Sequence, residues 1–346
     1  YETILKYRGV EKIIGTYVKG WRPSGDGRVH PEFLYKPATG QLSSVNPNAQ
    51  NVPAGKGLDA GKAALARQFR RIIRAERGYK LIEFDWKSFH GATMAFEARS
   101  PTYLRLSRLG MHDFITSHIK GEPARFDWPD DQLKDYLGYI KKKYKEFRDT
   151  QAKPAILGMQ FGEEAWGLHK RYPESFPKEN SAQSIVDLVD GLFPEVKIYK
   201  ESIMRQAYSK KYLVSPFGYI RWFWNVFSWD SKMHCLRPVK GKDGDANKCK
   251  AFLPANDAFG HKKEVLLELH KKGLDEKYGL CNDIHDALMF HCPAGLVEEC
   301  VETVKPMMEA PSKVLVDPTV APEGLWVEVE TKVGNDWSEM EETNGY

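Results

Sequence analysis

Long apolar runs are missing from this 346-residue chain. None approaches the roughly 20 residues a helix needs to cross a bilayer, so no membrane partner is expected. A secretory leader is not visible either. Cysteine is sparse: Cys235, Cys249, Cys281, Cys292 and Cys300 make an odd number, irregularly spaced and without a CxxC pair. That usage argues against a disulfide framework and favours a reduced, intracellular protein. Glycine and proline are not enriched, which excludes a collagen-like or wholly disordered chain. No internal repeat occurs. Neither sign of charge dominates. The net charge of +4 and the pI of about 8.6 are mildly basic, compatible with a nucleic-acid partner but not proof of one.

What is present is an ordinary globular composition, 42% hydrophobic and 28% charged, enough for one large or two to three smaller units. The chain opens at Tyr1, without methionine, and reads as a piece of something longer. Ile4, Leu5, Val10, Ile13 and Ile14 predict an amphipathic helix within 1–20. A Gly/Pro/Asn/Ser-rich loop over 21–61 is too long to be idle in a compact domain. A basic helix over 62–77 carries Arg67, Arg70, Arg71, Arg74 and Arg77. YKLIEFDW (79–86) reads as a buried strand ending near Asp85, followed by a helix from Ser88 to about Arg99. Residues 101–205 are mainly helical; their cluster of Lys141, Lys142, Lys143 and Lys145 reads first as a solvated helix face, with a phosphate-facing role as the alternative. A hairpin is expected over 212–224, a loop near 238–247 and a helix over 256–272. Two short strands follow within 280–293, with His285 and Asp286 at their turn, then a helix from Leu296 and a strand near 325–333. Two strand-borne aspartates separated by a helical block suggest an α+β fold.

Asp85 and Asp286 both lie in apolar segments, where a carboxylate is costly unless paired, hydrogen-bonded or bound to metal. Either alone is as well explained by a strand-end turn. Two such groups on adjacent strands can hold two magnesium ions roughly 4 Å apart. Lys153, Leu157 and Phe161 recur at i, i+4 and i+8 and so share one helix face. Spacing alone favours a core helix with a snorkelling lysine over a nucleotide-facing one. Asn46, Asn48, Gln50 and Asn51 offer neutral groups suited to a duplex, or to ordinary turns.

Three ordered blocks resemble the bacterial and phage family A DNA polymerases. TGQLSSVNPNAQNVP (39–53) with RRIIRAERGYKLIEFDWKSF (70–89) resembles the TGRLSS–PNLQNIP segment and motif A. Arg148 with AKPAILGMQFGEEAWGL (152–168) resembles motif B, and LPAND through IHDALMF (253–290) resembles motif C with its preceding helix. The order and gaps fit from about residue 1 to 310. The resemblance implies a right-hand polymerase fold: an antiparallel palm sheet with helical fingers, and a thumb largely absent. It divides the chain into the end of a thumb helix (1–20), palm (21–100, with motif A), fingers (101–205, with motif B) and palm again (206–346, with motif C).

It also implies roles. Asp85 and Asp286 would be the metal ligands, with the carbonyl of Trp86 as a third and two Mg2+ as cofactors. Lys153 would contact the incoming triphosphate and is a candidate proton donor to pyrophosphate. Phe161 and Gly162 would stand beside the templating base, Leu157 beside the sugar, and His90 and Arg148 also in the nucleotide site. Gln41, Asn48, Gln50, Asn51, Arg71, Lys248, Asn256 and His285 would touch DNA. Primer–template DNA and dNTPs are the implied partners, with processivity or replisome proteins besides, in the cytoplasm (a bacterial host's, for a phage protein).

The departures are Gln41 for an arginine, His90 for the ribose-excluding glutamate, Ala287 for the glutamate after motif C's aspartate, and Asp149 for a fingers arginine. They bear on sugar choice and fidelity and spare the two aspartates and the lysine. Pro154 after Lys153 is awkward inside a helix unless the helix starts there. A single-subunit RNA polymerase, a decayed polymerase that only binds nucleic acid, and a two-metal nuclease are the alternatives.

Overall fold

The computed structural model describes residues 7, 11, 14–35, 40–53, 60–241 and 243–343. In chain order its elements are β1 (Glu32–Leu34), β2 (Ser43–Val45), α1 (Ala60–Ile72), β3 (Tyr79–Trp86), α2 (Phe89–Glu97), α3 (Pro101–Leu109), α4 (Met111–Ile119), α5 (Asp130–Lys143), α6 (Lys153–Gln160), α7 (Ala165–Arg171), α8 (Glu179–Leu192) and α9 (Pro194–Lys210). There follow β4 (Tyr212–Val214), β5 (Ile220–Trp222), β6 (Phe227–Asp230), β7 (Cys235–Pro238), α10 (Ala246–Lys271), α11 (Leu274–Tyr278), β8 (Leu280–Ile284), β9 (Ala287–Pro293), α12 (Val297–Glu309), β10 (Val329–Gly334) and β11 (Glu341–Glu342).

The chain separates into a sheet unit (Tyr1–Lys87, Lys262–Ala310, Glu328–Tyr346) and a helical unit (Ser88–His261, Pro311–Val327). Residues 88–100, 206–261 and 311–327, expected with the palm, group with the helical unit.

The sheet unit is built on an antiparallel sheet in the order β11-β10-β3-β9-β8. β3 lies at its centre, and its apolar run follows from that place: Leu81, Ile82, Phe84 and Trp86 are all buried. Phe84 meets Phe290 of β9 edge to face at 5.6 Å. Trp86 Nε1–H donates to the Met308 carbonyl at the end of α12 (2.8 Å). Beside the sheet, Tyr17, Val52, Phe69, Leu81, Met289 and Trp337 form one core. Of the helix expected over 1–20, residues 1–6, 8–10, 12 and 13 lie outside the described residues, as does Thr39. A π-helical turn, Ile14–Val18, carries exposed Ile14 and buried Tyr17.

The helical unit packs α9 and α10 against the β4–β5 hairpin through Ile203, Ala207, Leu213, Phe223 and Phe252. α3 starts cleanly because Ser100 Oγ accepts the Tyr103 N–H (3.1 Å) and Pro101 occupies the first turn. Two features depart from the expected elements. α10 starts at Ala246, ten residues before Asn256, and runs through Pro254. Burial of Phe252, Leu253, Ala255 and Ala258 around that proline offsets its cost of about 3 kcal/mol. β6 and β7 form a hairpin in a stretch that local patterning left unassigned.

Candidate active site

β3 and β9 pair with Asp85 opposite Ala287, and the Trp86 N–H donates to the Asp286 carbonyl (3.1 Å). Antiparallel register thus brings the two aspartates into one neighbourhood, as the sequence led one to expect. On the other side of β3, Glu330 of β10 stands directly opposite Asp85. Glu83, two residues back along β3, shares Asp85's face of the sheet. Burial first, then the charges of Glu83, Asp286 and Glu330, against the opposing charge of Lys332, push the Asp85 carboxyl up to about 7. Burial alone would lower the Lys332 ammonium, but its bond to Glu330 and the charges of Glu330, Glu83 and Asp85 raise it instead. More negative charge converges here than one lysine balances. The donors are carboxylate and carbonyl oxygens, the chemistry a hard divalent cation takes. Among the described residues no tight cluster of three or more His, Cys, Asp or Glu is present. Two carboxylates with substrate and water oxygens are what magnesium accepts, so the residues fit it.

The β8–β9 turn is held from three sides. His285 adopts φ +52°, a strained left-handed conformation. Lys262, on α10, donates to the His285 carbonyl (2.7 Å) and to Asp283 Oδ1 (2.6 Å); its side chain is only 3% exposed. His285 Nε2 also meets Asn51 Oδ1 at 3.2 Å, and Asn282 Nδ2–H donates to the Ala49 carbonyl. The 46–53 loop is therefore laced to the turn that carries Asp286. Within that loop the predicted DNA contacts do structural duty. Asn48 Oδ1 accepts the N–H groups of Gln50 and Asn51 (3.1 Å each), and buried Gln50 accepts the Ser44 N–H (2.9 Å). Asn51 and Arg71 are exposed, and Gln41 is half-buried. Arg70 is committed internally, donating to the carbonyls of Pro53 and Val52 and lying 4.2 Å over Trp337. Lys262, Glu83, Glu330 and Lys332 were not singled out from the sequence, since the β10 register and the reach of Lys262 leave no local pattern.

In the helical unit, α6 begins at Lys153 with Pro154 in its first turn, after a π-helical turn over Arg148–Ala152. The π-helical turn runs directly into α6, with Ala152 and Lys153 both in the right-handed helical region, so Pro154 sits at the junction where the wider turn tightens to α-helix. Ala155, Ile156 and Met159 are buried, while Lys153 and Phe161 are exposed and Leu157 lies between. The i, i+4, i+8 face thus points outward. The Phe161 ring meets His90 edge-on at 4.9 Å. Gly162 has φ +80°, and a Cβ there would stand 2.9 Å from the Asn247 carbonyl oxygen. Gly162→Ala is expected to cost about 1–2 kcal/mol from backbone strain, plus that contact, read as a lower urea midpoint.

Arg148 is tied to Asp113 (2.7 Å) and Asp149 (2.6 Å). Burial of its ring first, then the charges of Arg148 and Lys153, hold half-buried His112 down to about 3. Lys248 bonds Asp245 (3.0 Å), and Asn256 is fully buried within α10 rather than presented at a surface.

The model for DNA polymerase family A matches residues 1–237, two thirds of the chain. The chain belongs to DNA polymerase family A. This family A chain is 26% identical over 351 aligned residues to DNA polymerase I of Pseudomonas aeruginosa, covering 98% of the chain and 33% of that relative. It is 24% identical to the thermostable DNA polymerase I of Thermus aquaticus, covering 99% of the chain and 36% of the relative. The chain therefore spans about a third of the length of these relatives. Its fold matches the POL domain of Pol1 from M. smegmatis, solved in complex with DNA primer-template and dNTP. That match has a TM-score of 0.66 at 19% identity and covers 97% of this chain and 51% of the other. The α+β polymerase fold expected from the sequence is the one observed.

Proposed function

We propose that this family A chain carries the palm and fingers of a template-directed DNA polymerase, which adds dNTPs to a primer 3′-OH during replication. The observation that carries the proposal is the meeting of Asp85 and Asp286 across β3 and β9, in a patch where acidic groups outnumber basic ones. The relatives' names and the primer-template and dNTP of the fold neighbour agree with it.

Asp85, Asp286 and the Trp86 carbonyl would hold two magnesium ions. Bound there, the ions would supply charge that favours an ionised 3′-hydroxyl and balances the leaving pyrophosphate. The chain's own contribution is positional. The β3–β9 ladder fixes the carboxylates, and Lys262 and Asn51 hold the His285 turn. Lys153, at the start of α6, would offer its ammonium to triphosphate oxygens and hand a proton to pyrophosphate. Phe161 offers a ring to the nascent pair, and Gly162 lets the chain turn beside it.

Lys153→Ala is expected to lower kcat/KM for dNTP by about 10- to 100-fold, the worth of a charge-assisted hydrogen bond. Single-nucleotide extension over a dNTP titration measures it; an unchanged kcat/KM would remove Lys153 from the site. The overall test is extension of primed DNA with magnesium and dNTPs, with rNTPs in parallel. His90 stands where the family has a sugar-excluding glutamate, so His90→Glu should raise the dNTP preference. No extension alongside intact DNA binding would favour a decayed polymerase.

A further inference from the structure

In the β4–β5 hairpin the buried and exposed positions alternate, with Leu213 turned into the core. The outward face ought to be polar. It instead carries Val214, Ile220 and Trp222, about half to two-thirds exposed, with Trp224 just beyond at 69%. The rings are ordered. Tyr212 tilts against Trp222 at 5.2 Å, and Trp222 lies parallel to Trp224, centroids 5.4 Å apart and planes within 6°. The stack ends at Trp224, the most exposed of the three rings. A contiguous exposed apolar patch of this kind marks an interaction site.

The surrounding charge says what would sit there. Residues 210–245 carry seven lysines and arginines against Asp230, Asp243 and Asp245, a net +4 that equals the net charge of the whole chain. Arg221 turns inward over the Phe223 and Phe252 rings, Arg237 pairs with Asp230 (3.1 Å), and Asp245 accepts the Trp224 N–H (2.9 Å), which leaves Lys210 and Lys211, next to Tyr212 in sequence, as the cations adjoining the stack. Protein interface cores are depleted of lysine, whereas an aromatic stack in a net-positive segment, with Lys210 and Lys211 just before Tyr212, suits an unpaired nucleic-acid strand. Its bases continue the ring stack and its phosphates meet the cations. In a duplex the base faces are already covered, so the rings would find only groove edges.

We propose that the Tyr212–Trp222–Trp224 stack is a binding platform for single-stranded DNA. The inference rests on the polymerase reading for its purpose, since a template must be unpaired before it is copied, but binding is read apart from catalysis. Fluorescence anisotropy of labelled oligo(dT) and of blunt duplex is measured on the full protein at two salt concentrations.

The parent should bind oligo(dT) in a salt-dependent way. Trp222→Ala/Trp224→Ala should weaken that binding by roughly 10-fold or more, with duplex affinity and melting temperature kept. Trp222→Phe/Trp224→Phe, which keeps the rings, should retain most of it. Trp224→Lys separates stacking from charge: a platform predicts weaker binding despite the added cation, and a purely electrostatic surface predicts tighter binding. Unchanged oligo(dT) affinity across these variants, as a protein-docking surface would give, overturns the proposal, as does tighter binding by Trp224→Lys. Loss of extension with platform-dependent oligo(dT) binding intact would instead sink the polymerase reading and leave the platform standing.

Discussion

Asp85→Ala and Asp286→Ala are each expected to abolish primer extension while leaving DNA binding in place. Either substitution removes oxygen donors from the proposed metal site. Several kcal/mol of lost charge stabilisation correspond to roughly a thousandfold in rate. The same site makes a second, opposite demand on stability. The Asp85 carboxyl titrates at about 7 in the folded chain against an ordinary 3.8. Folding raises this pKa, so the folded state holds the proton more tightly than the unfolded one. Without metal, the contribution of Asp85 to stability is therefore fully present below about pH 4 and is lost as pH rises through about 7. Asp85→Asn should abolish that decline and stabilise the metal-free protein at pH 8, by on the order of 2 kcal/mol. A bound divalent cation stabilises the parent and closes the gap. Thermal melts at pH 5 and pH 8, with and without magnesium, measure both. A variant that extends primers at the parental rate, or an Asp85→Asn melt no different from the parent's in metal-free buffer, would remove Asp85 from this role.

Lys262→Met is the next largest expected effect. Its ammonium is buried between the Asp283 carboxylate and the His285 carbonyl. Removing it strands the Asp283 charge in the interior, at a cost of about 3–5 kcal/mol. Lys262→Met/Asp283→Leu removes both charges and should recover most of that loss. Extension should fall in both variants, because the turn carrying Asp286 loses the donor that pins the His285 carbonyl. Urea unfolding followed beside extension separates the two effects. Were the single variant no less stable than the double, the pair would not be the buried ion pair described here.

Much of the fold was written in local pattern. YKLIEFDW became β3 residue for residue, because eight residues rich in aromatic and aliphatic side chains, with no breaker, are short for a helix and suit a strand. Residues 280–293 became β8 and β9 with His285 and Asp286 at the turn, and α6 shows the predicted Lys153–Leu157–Phe161 face with its start at the proline. In each case the information lies within a few residues, where strand or helix period decides which side chains share a face.

Only tertiary structure placed Glu330 opposite Asp85, 245 positions away, because strand register is set by long-range pairing. It tied Lys262 to the motif C turn, since a buried ammonium must find partners wherever the chain supplies them. It committed Arg148 to Asp113 and Asp149 and enclosed Asn256 in α10, neither of which periodicity could show. It also carried α10 through Pro254, where burial of the surrounding apolar residues outweighs a local penalty. The sequence by itself determined which residues carry charge and which segments become strand or helix. Which charges meet was decided by pairing and burial, because those energies depend on neighbours that local periodicity does not bring together, some of them hundreds of residues apart.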